Sequence, residues 1–316
     1  MKRVLISRIL PDEVYAALSS FDVVRRDRTQ PLAADEMRDA LRDFDVVMPT
    51  LGDRFSADVF DDVPNPRCRL LANFGVGYNH IDVDAAKAAG ITITNTPGAV
   101  TDATADIAMT LMLVSARRAG EGERLVRSGN WEGWHPTQML GLHLSGKAVG
   151  IVGMGRIGEA IARRCHFGFG MSVAYHSRTR KELTFDARYH NDIVALAGEV
   201  DVLVVAVPGG PQTHHLINAD VLAAMRQHAR LINIARGDVV SQTALIDALK
   251  ASSIGGAGLD VYEFEPEVPE SLRALDNVVL LPHLGTATRE VRVDMGLMVV
   301  RNIQAFLNDE TPPNVV

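Results

Sequence analysis

Polar residues stand directly after three apolar, β-like runs in the second half of the chain. Arg236 follows LINIA, Asp260 follows GGAGL, His283 follows NVVLLP, and Glu265 lies five residues beyond Asp260. In open α/β sheets ligands bind beyond the carboxyl ends of the strands, so these side chains are expected to face one crevice and form a reaction site. A guanidinium grips a carboxylate or a carbonyl oxygen through two parallel hydrogen bonds, which would hold a 2-oxo acid in one orientation. Arg236 is therefore the candidate substrate anchor. An imidazolium can give its proton to a carbonyl oxygen as hydride reaches the carbon, and a neighbouring carboxylate orients the ring and favours its charged form. His283 is the candidate acid and Glu265 its partner. Taken singly, a surface-paired Arg, a satisfied strand-end His and a solvated loop Glu are all ordinary; the weight lies in their joint placement.

That placement depends on the stretch AVGIVGMGRIG, Ala148 to Gly158. An apolar strand runs into Gly153-x-Gly155-x-x-Gly158, enclosing Met154, Arg156 and Ile157, and a helical pattern follows from Glu159 to Arg164. The first Gly permits a tight turn, the second lets backbone approach a pyrophosphate, and the third allows close helix packing, so the helix N-terminus can hold negative charge. Strand, glycines and helix in this order mark a dinucleotide-binding turn. NAD sites usually place Asp or Glu about 20 residues further on, against the ribose hydroxyls. Here the strand SVAY is followed by His176, Ser177, Arg178, Thr179 and Arg180, which offer donors and no carboxylate to repel a 2′-phosphate. NADP(H) is expected to be preferred, with Arg178 its main phosphate ligand and Ser177, Thr179 and Arg180 assisting; NAD(H) is the alternative. Gly75 and Gly77 form a second glycine pair, whose bare backbone could bring donors close to an anion.

Strands and helices alternate on both sides of this turn. Arg3 to Ser7, Asp45 to Pro49, Leu70 to Phe74 and Ile91 to Thr94 read as strands of a first region. Thr101 to Arg118 reads as one long helix, apolar on several faces and hence buried between domains or subunits. Six strands are expected in the second region: Ala148 to Val152, Ser172 to Tyr175, Val202 to Val207, Leu231 to Ala235, Gly255 to Leu259 and Val278 to Leu281. A final helix, Thr288 to Leu307, carries Val299, Ile303 and Phe306 at helical spacing. The fold class is α/β.

The 316 residues suffice for two domains, and 47% hydrophobic with 22% charged residues describes a globular protein. No apolar run approaches the ~20 residues of a membrane helix, and the N-terminal MKRVLISRILPDE reaches Arg8 and Asp12 too soon for a signal peptide. A cytoplasmic location is expected. The net charge of −7 argues against a general nucleic-acid surface. Cys68 and Cys165 lack disulfide or zinc spacing and read as core residues.

Several segments in order resemble the D-isomer-specific 2-hydroxyacid dehydrogenases, and especially their glyoxylate and hydroxypyruvate reductase branch. These are NFGVGYNHID (73–82), NTPGAVTDATAD (95–106), GIVGMGRIG (150–158), NIARGDVV (233–240), GLDVYEFEP (258–266) and LPHLGTAT (281–288). The resemblance implies a Rossmann-type doubly wound domain, a smaller flavodoxin-like substrate domain, and a cleft between them. The boundaries are expected at 1–97 with 288–316 for the substrate domain and 98–287 for the nucleotide domain. It implies Arg236, Glu265 and His283 as catalytic set, Asp260 beside the nicotinamide, and Val76 and Gly77 as backbone donors to the substrate carboxylate. Thr104 would sit near the cofactor amide, and Val207, Pro208, Ile234, Ala235 and Gly285 along the cofactor. It also implies a homodimer, with Trp131 and Trp134 in NWEGWHPT either at the subunit contact or in interdomain packing, and pocket size set by Leu51, Tyr78 and the Trp131 region. A small 2-oxo acid is the expected substrate. Formate oxidation is disfavoured because that branch carries Gln at the place of Glu265. Phosphoglycerate oxidation is less favoured, while a broad reductase of larger 2-oxo acids is the nearest rival. A nicotinamide-sensing corepressor-like protein is the rival from another class.

Overall fold

The structure is a computed structural model that describes residues 2–316. The chain divides into two compact units, Met1–Val100 with Thr286–Val316, and Thr101–Gly285. The first begins β1 (Arg3–Ile6), α1 (Asp12–Ala17), β2 (Asp22–Arg25), α2 (Ala34–Asp43), β3 (Val46–Met48), α3 (Ala57–Asp61), β4 (Leu70–Ala72), α4 (Val83–Ala88) and β5 (Thr92–Thr94). All five strands are parallel, in the order β2-β1-β3-β4-β5. That is the flavodoxin-like winding. β3 and β4 are buried on every residue, as strands covered on both faces must be. Leu41, Val47, Phe55, Leu71, Ile91 and Ile93 share the core on one side of this sheet.

The second unit contains α5 (Thr101–Ala116), α6 (Ala119–Arg127), β6 (Ala148–Val152), α7 (Arg156–Arg163), β7 (Ser172–His176), β8 (Ala187–His190), α8 (Ile193–Glu199), β9 (Val202–Val205), α9 (Ala219–Ala224), β10 (Arg230–Asn233), α10 (Gln242–Lys250), β11 (Gly256–Leu259), α11 (Glu270–Arg273) and β12 (Val278–Leu280). Its seven-stranded parallel sheet runs β12-β11-β10-β9-β6-β7-β8. Along β9 and β10 side chains alternate between two cores: Leu203, Val205 and Leu231 face one, Val202, Val204 and Ile232 the other. Both faces are therefore dry, which explains the unbroken apolar runs. The chain order reverses at β6, whose neighbours are β9 and β7. A turn leaving β6 thus opens at the switch point where doubly wound sheets bind nucleotides.

Three readings need correction. The second region has seven strands instead of six, because Ala187–His190 pairs with β7 as an edge strand. The helix expected over 101–118 stops at Ala116; Arg118 takes a left-handed φ of 52°, and α6 sets out from it. In the first unit β2 is likewise an edge strand that the reading of the sequence missed.

The last helix, α12 (Arg289–Leu307), belongs to the first unit and packs on α1 and β4. Val315 bridges to Thr94, closing the tail on the edge of β5. Among the described residues no helix is long and apolar enough to cross a membrane.

Candidate active site

The turn after β6 is shaped by contact distances that leave no room for side chains. Gly153 has φ +103°, and a Cβ there would lie 2.6 Å from the Ala206 carbonyl oxygen; one at Gly158 would lie 2.0 Å from the Gly153 oxygen. Gly155 differs: a Cβ there meets nothing within 4 Å. Gly155 is also the N-cap of α7, with no side chain to satisfy the first amides. The open space sits in front of free N–H groups at the positive end of a helix. The residues present fit a dinucleotide pyrophosphate, which the backbone of Met154 to Ile157 would hold.

β7 delivers the next loop. Tyr175 fixes it, accepting from the Lys181 N–H at 2.9 Å, and Tyr189 of β8 donates to the Ser177 carbonyl at 3.3 Å. Ser177 spends its hydroxyl proton on the Thr179 carbonyl, at 2.6 Å. Arg178, Thr179 and Arg180 are exposed, and Arg178 pairs with no carboxylate among the described residues. Arg180 lies over the Tyr189 ring, 5.9 Å from its centroid.

Arg236, Asp260 and His283 leave from three neighbouring strands. β10, β11 and β12 are adjacent, with Asn233 opposite Leu259 and Leu259 opposite Leu280, so all three chains exit at one level. His283 Nδ1 donates to Glu265 Oε2 at 2.9 Å, and the other Glu265 oxygen accepts the Tyr262 N–H at 3.0 Å. This arrangement leaves His283 Nε2 to act. Burial pushes the Glu265 carboxyl up, but the His283 hydrogen bond and charge, the Tyr262 amide and the Arg236 charge outweigh it and hold the group below the usual carboxylate range. Around Arg236 burial dominates and lowers the guanidinium from its ordinary value, opposed by Glu265 and Asp238.

Buried polar groups set these positions. Asn233 clasps the Arg236 loop: its Nδ2 donates to the Arg236 carbonyl at 2.9 Å and its Oδ1 accepts the Ala235 N–H at 3.0 Å. Asp260, 2% exposed, accepts the N–H groups of Leu284 at 2.6 Å and Gly285 at 2.8 Å. Its carboxyl is raised by burial in spite of those bonds. The turn so held keeps His283 at φ +56°, a left-handed conformation that non-glycine residues adopt at a cost. Thr104 adds a hydroxyl bond to the Gly285 carbonyl at 3.2 Å.

In the first unit, Asn73 directly follows β4 and donates to the carbonyls of Gly75 and Gly77, at 3.0 and 3.1 Å. Asn95 donates to the Val76 carbonyl at 2.9 Å. With the carbonyls taken, the N–H groups of Val76 and Gly77 make no hydrogen bond among the described residues. They form a pair of unspent donors suited to an anion.

The profile of the D-isomer specific 2-hydroxyacid dehydrogenase NAD-binding domain matches residues 109–285, the unit that carries the glycine turn and the Arg, Glu and His cluster. The chain belongs to that family. Among its relatives, the glyoxylate reductases of Thermococcus onnurineus and Pyrococcus furiosus are each 44% identical, with 99% of this chain and 95% of theirs aligned. An NADPH-dependent glyoxylate/hydroxypyruvate reductase of Sinorhizobium meliloti, solved with NADP and malonate, superposes with a TM-score of 0.87 at 39% identity, covering all of this chain and 96% of that one. The chain is thus a dehydrogenase that uses a nicotinamide cofactor.

Within this dehydrogenase, Ile234 and Ala235 are buried beneath Arg236, while Val207 is half-buried and Pro208 exposed at the exit of β9. Leu51 and Tyr78 lie exposed in the first unit; Trp131 and Trp134 in the second are 51% and 79% exposed. Reading the sequence missed Asn73, Asn233 and Tyr262. The two Asn residues each directly follow or close an apolar strand, a signal the search for charged residues passed over.

Proposed function

We propose that this dehydrogenase reduces small 2-oxo acids to D-2-hydroxy acids, with glyoxylate and hydroxypyruvate as leading substrates and NADPH preferred over NADH. The observation that carries the reading is the 2.9 Å His283–Glu265 pair beside Arg236, beyond the strand ends of the nucleotide-binding unit. The reduced nicotinamide, when bound, supplies the hydride. Arg236 binds the acid through paired N–H donors, and the Val76 and Gly77 amides take its carboxylate. His283 passes a proton from Nε2 to the oxygen that becomes the hydroxyl, and Glu265 stabilises the imidazolium before transfer. Thr104, Asp260 and Gly285 shape the wall behind His283 where the nicotinamide ring would rest, with Ile234, Ala235, Val207 and Pro208 along the same cofactor.

Support for NADPH comes from the segment 176–181, which has two exposed Arg side chains and no carboxylate. The test is a panel of glyoxylate, hydroxypyruvate, pyruvate and phenylpyruvate with each cofactor, in the wild type and in Arg178→Ala. The wild type should favour NADPH with the two smaller acids. Loss of one charge-assisted phosphate contact, about 1.5–3 kcal/mol, should raise the variant's KM for NADPH by roughly 10- to 100-fold and leave NADH nearly unchanged. Better turnover with NADH in the wild type overturns the preference, and no turnover with any acid overturns the activity. Trp131, Trp134 and Leu140, all more than half exposed, support a homodimer in which a second copy covers them. Sedimentation of the wild type at monomer mass would count against it.

A further inference from the structure

Glu263 stands one residue from the catalytic loop's exposed tip at Phe264, yet its side chain is only 13% exposed. Its two oxygens are both spent on other segments. Oε1 accepts from His215 Nε2 at 2.9 Å, in the segment after β9, and Oε2 accepts the N–H of Gln242 at 3.1 Å, at the first residue of α10 after β10. The segments it joins are themselves laced together. The His215 N–H donates to the Asp238 carbonyl at 2.8 Å, and Ile217 exchanges bonds with Val239 and Ser241, each at 3.0 Å. Gly237, next to Arg236, lies so close to Glu263 that a Cβ there would be 1.8 Å from the Tyr262 carbonyl carbon and 2.3 Å from the Glu263 nitrogen.

We propose that Glu263 is a positioning residue: it clasps the short loop bearing Glu265 onto the segment that follows Arg236, and so fixes the carboxylate against His283. Apart from that clasp and the bonds of Glu265 itself, the loop is held by Tyr262, whose hydroxyl reaches the Leu281 carbonyl at 2.8 Å, and by the bond from the Glu267 N–H to the Phe264 carbonyl at 2.8 Å. The Phe264–Glu267 pair lies within the loop and the Tyr262 bond at its start, so loss of the clasp lets the residues beyond Tyr262 shift against the segment that follows Arg236. The Glu265 oxygen would then lose the geometry that a charged hydrogen bond requires, although nothing that touches substrate has been removed.

The inference rests on the reductase reading, so its test is a double-mutant cycle with a separate structural readout. Glu263→Ala should lower kcat/KM for glyoxylate about tenfold or more in the wild-type background and less than about threefold in Glu265→Gln, because both changes act on the same His283 contact. NADPH affinity should move less than about twofold, since the glycine turn is untouched. Glu263→Gln, which keeps one acceptor, should restore most of the loss; if the alanine protein does not fold, His215→Ala, which removes one partner of the clasp, takes its place in the cycle with the same expected coupling to Glu265→Gln. Equal losses in the two backgrounds, or none in either, overturn the proposal. Chymotrypsin cleavage after Phe264 should accelerate in Glu263→Ala. Unchanged cleavage overturns the clasp whatever the wild-type activity, whereas an inactive wild type overturns the reductase reading instead.

Discussion

Replacing Glu265 by Gln keeps the shape of the side chain and removes its charge. In the native arrangement one oxygen receives the His283 Nδ1–H at 2.9 Å and the other the Tyr262 N–H at 3.0 Å. An amide has a single oxygen, so the Glu265→Gln side chain can serve only one of these donors and turns an NH₂ toward the other. A hydrogen bond to a charged group contributes about 1.5–3 kcal/mol and a neutral one about 0.5–1.5, so the exchange costs roughly 1–2 kcal/mol. Both side chains are about 30% exposed, and solvent screening favours the lower end. At 1.36 kcal/mol per decade, kcat/KM should fall by roughly 5- to 20-fold. His283→Ala, which removes the proton donor itself, should fall by about 10²–10⁴. Initial rates of NADPH oxidation with glyoxylate measure both. The stability difference between wild type and Glu265→Gln carries a sign as well. Because the Glu265 carboxyl is held below its ordinary value, its contribution is complete above about pH 4.3 and disappears as pH drops through the folded value. Urea unfolding should therefore show the two proteins converging in acid. Equal activity of Glu265→Gln and wild type, or a loss as deep as that of His283→Ala, would refute the supporting role.

The two glycines of the nucleotide turn should behave oppositely. Gly158→Ala places a methyl 2.0 Å from the Gly153 oxygen and should lower the melting temperature of the protein without ligand, through overpacking of about 1–3 kcal/mol or more, as read by calorimetry. Gly155→Ala meets no atom within 4 Å and should melt like the wild type while losing NADPH affinity, measured by nucleotide fluorescence. Asp260→Asn can accept only one of the two amides from Leu284 and Gly285, so it should lose about 2 kcal/mol or more of stability and also reduce kcat, because the turn holding His283 loosens. A variant with full stability and reduced kcat would show that Asp260 acts on the chemistry directly.

How much of this was legible beforehand depends on burial. The strands that read clearly from composition, such as β6, β9 and β10, are apolar on both faces. The two that escaped, β2 and β8, are sheet edges with partly exposed side chains and at most two apolar residues each, so neither periodicity nor hydrophobicity distinguishes them from loop. The break after Ala116 carries no Pro; the Ala116 carbonyl accepts the Leu142 N–H at 2.7 Å, a partner from a distant segment that the local sequence does not reveal. Arg236 and His283 were legible because a charge close beyond a buried strand is conspicuous, and Glu265 because it is a carboxylate in the loop that follows Asp260. Tyr262 and Glu263 were not, because their partners, the Leu281 carbonyl, the His215 ring and the Gln242 N–H, lie on other segments and meet them only once the chain has folded; Asn233, whose bonds run to Ala235 and Arg236, was passed over as an uncharged residue closing a strand.

That contrast has a physical basis in the site itself. The reacting pair, Glu265 and His283, remains about one-third exposed, as groups that must meet substrate and exchange protons need to be. The groups that hold it are buried: Asn233 is 1% and Asp260 2% exposed, and the Glu263 side chain 13%. A buried polar group is tolerable only when each of its hydrogen-bonding positions is matched, and a matched one resists displacement. Precision at the exposed pair is therefore stored in the buried ring behind it. Substitutions in that ring should change melting temperature and turnover together, whereas substitutions of Glu265 or His283 should reduce turnover with a smaller loss of stability at neutral pH than those in the ring. Melting curves and kcat/KM values for Asn233→Ala, Asp260→Asn and His283→Ala separate the two classes, and a His283 variant that destabilises the protein as much as Asp260→Asn would contradict this division.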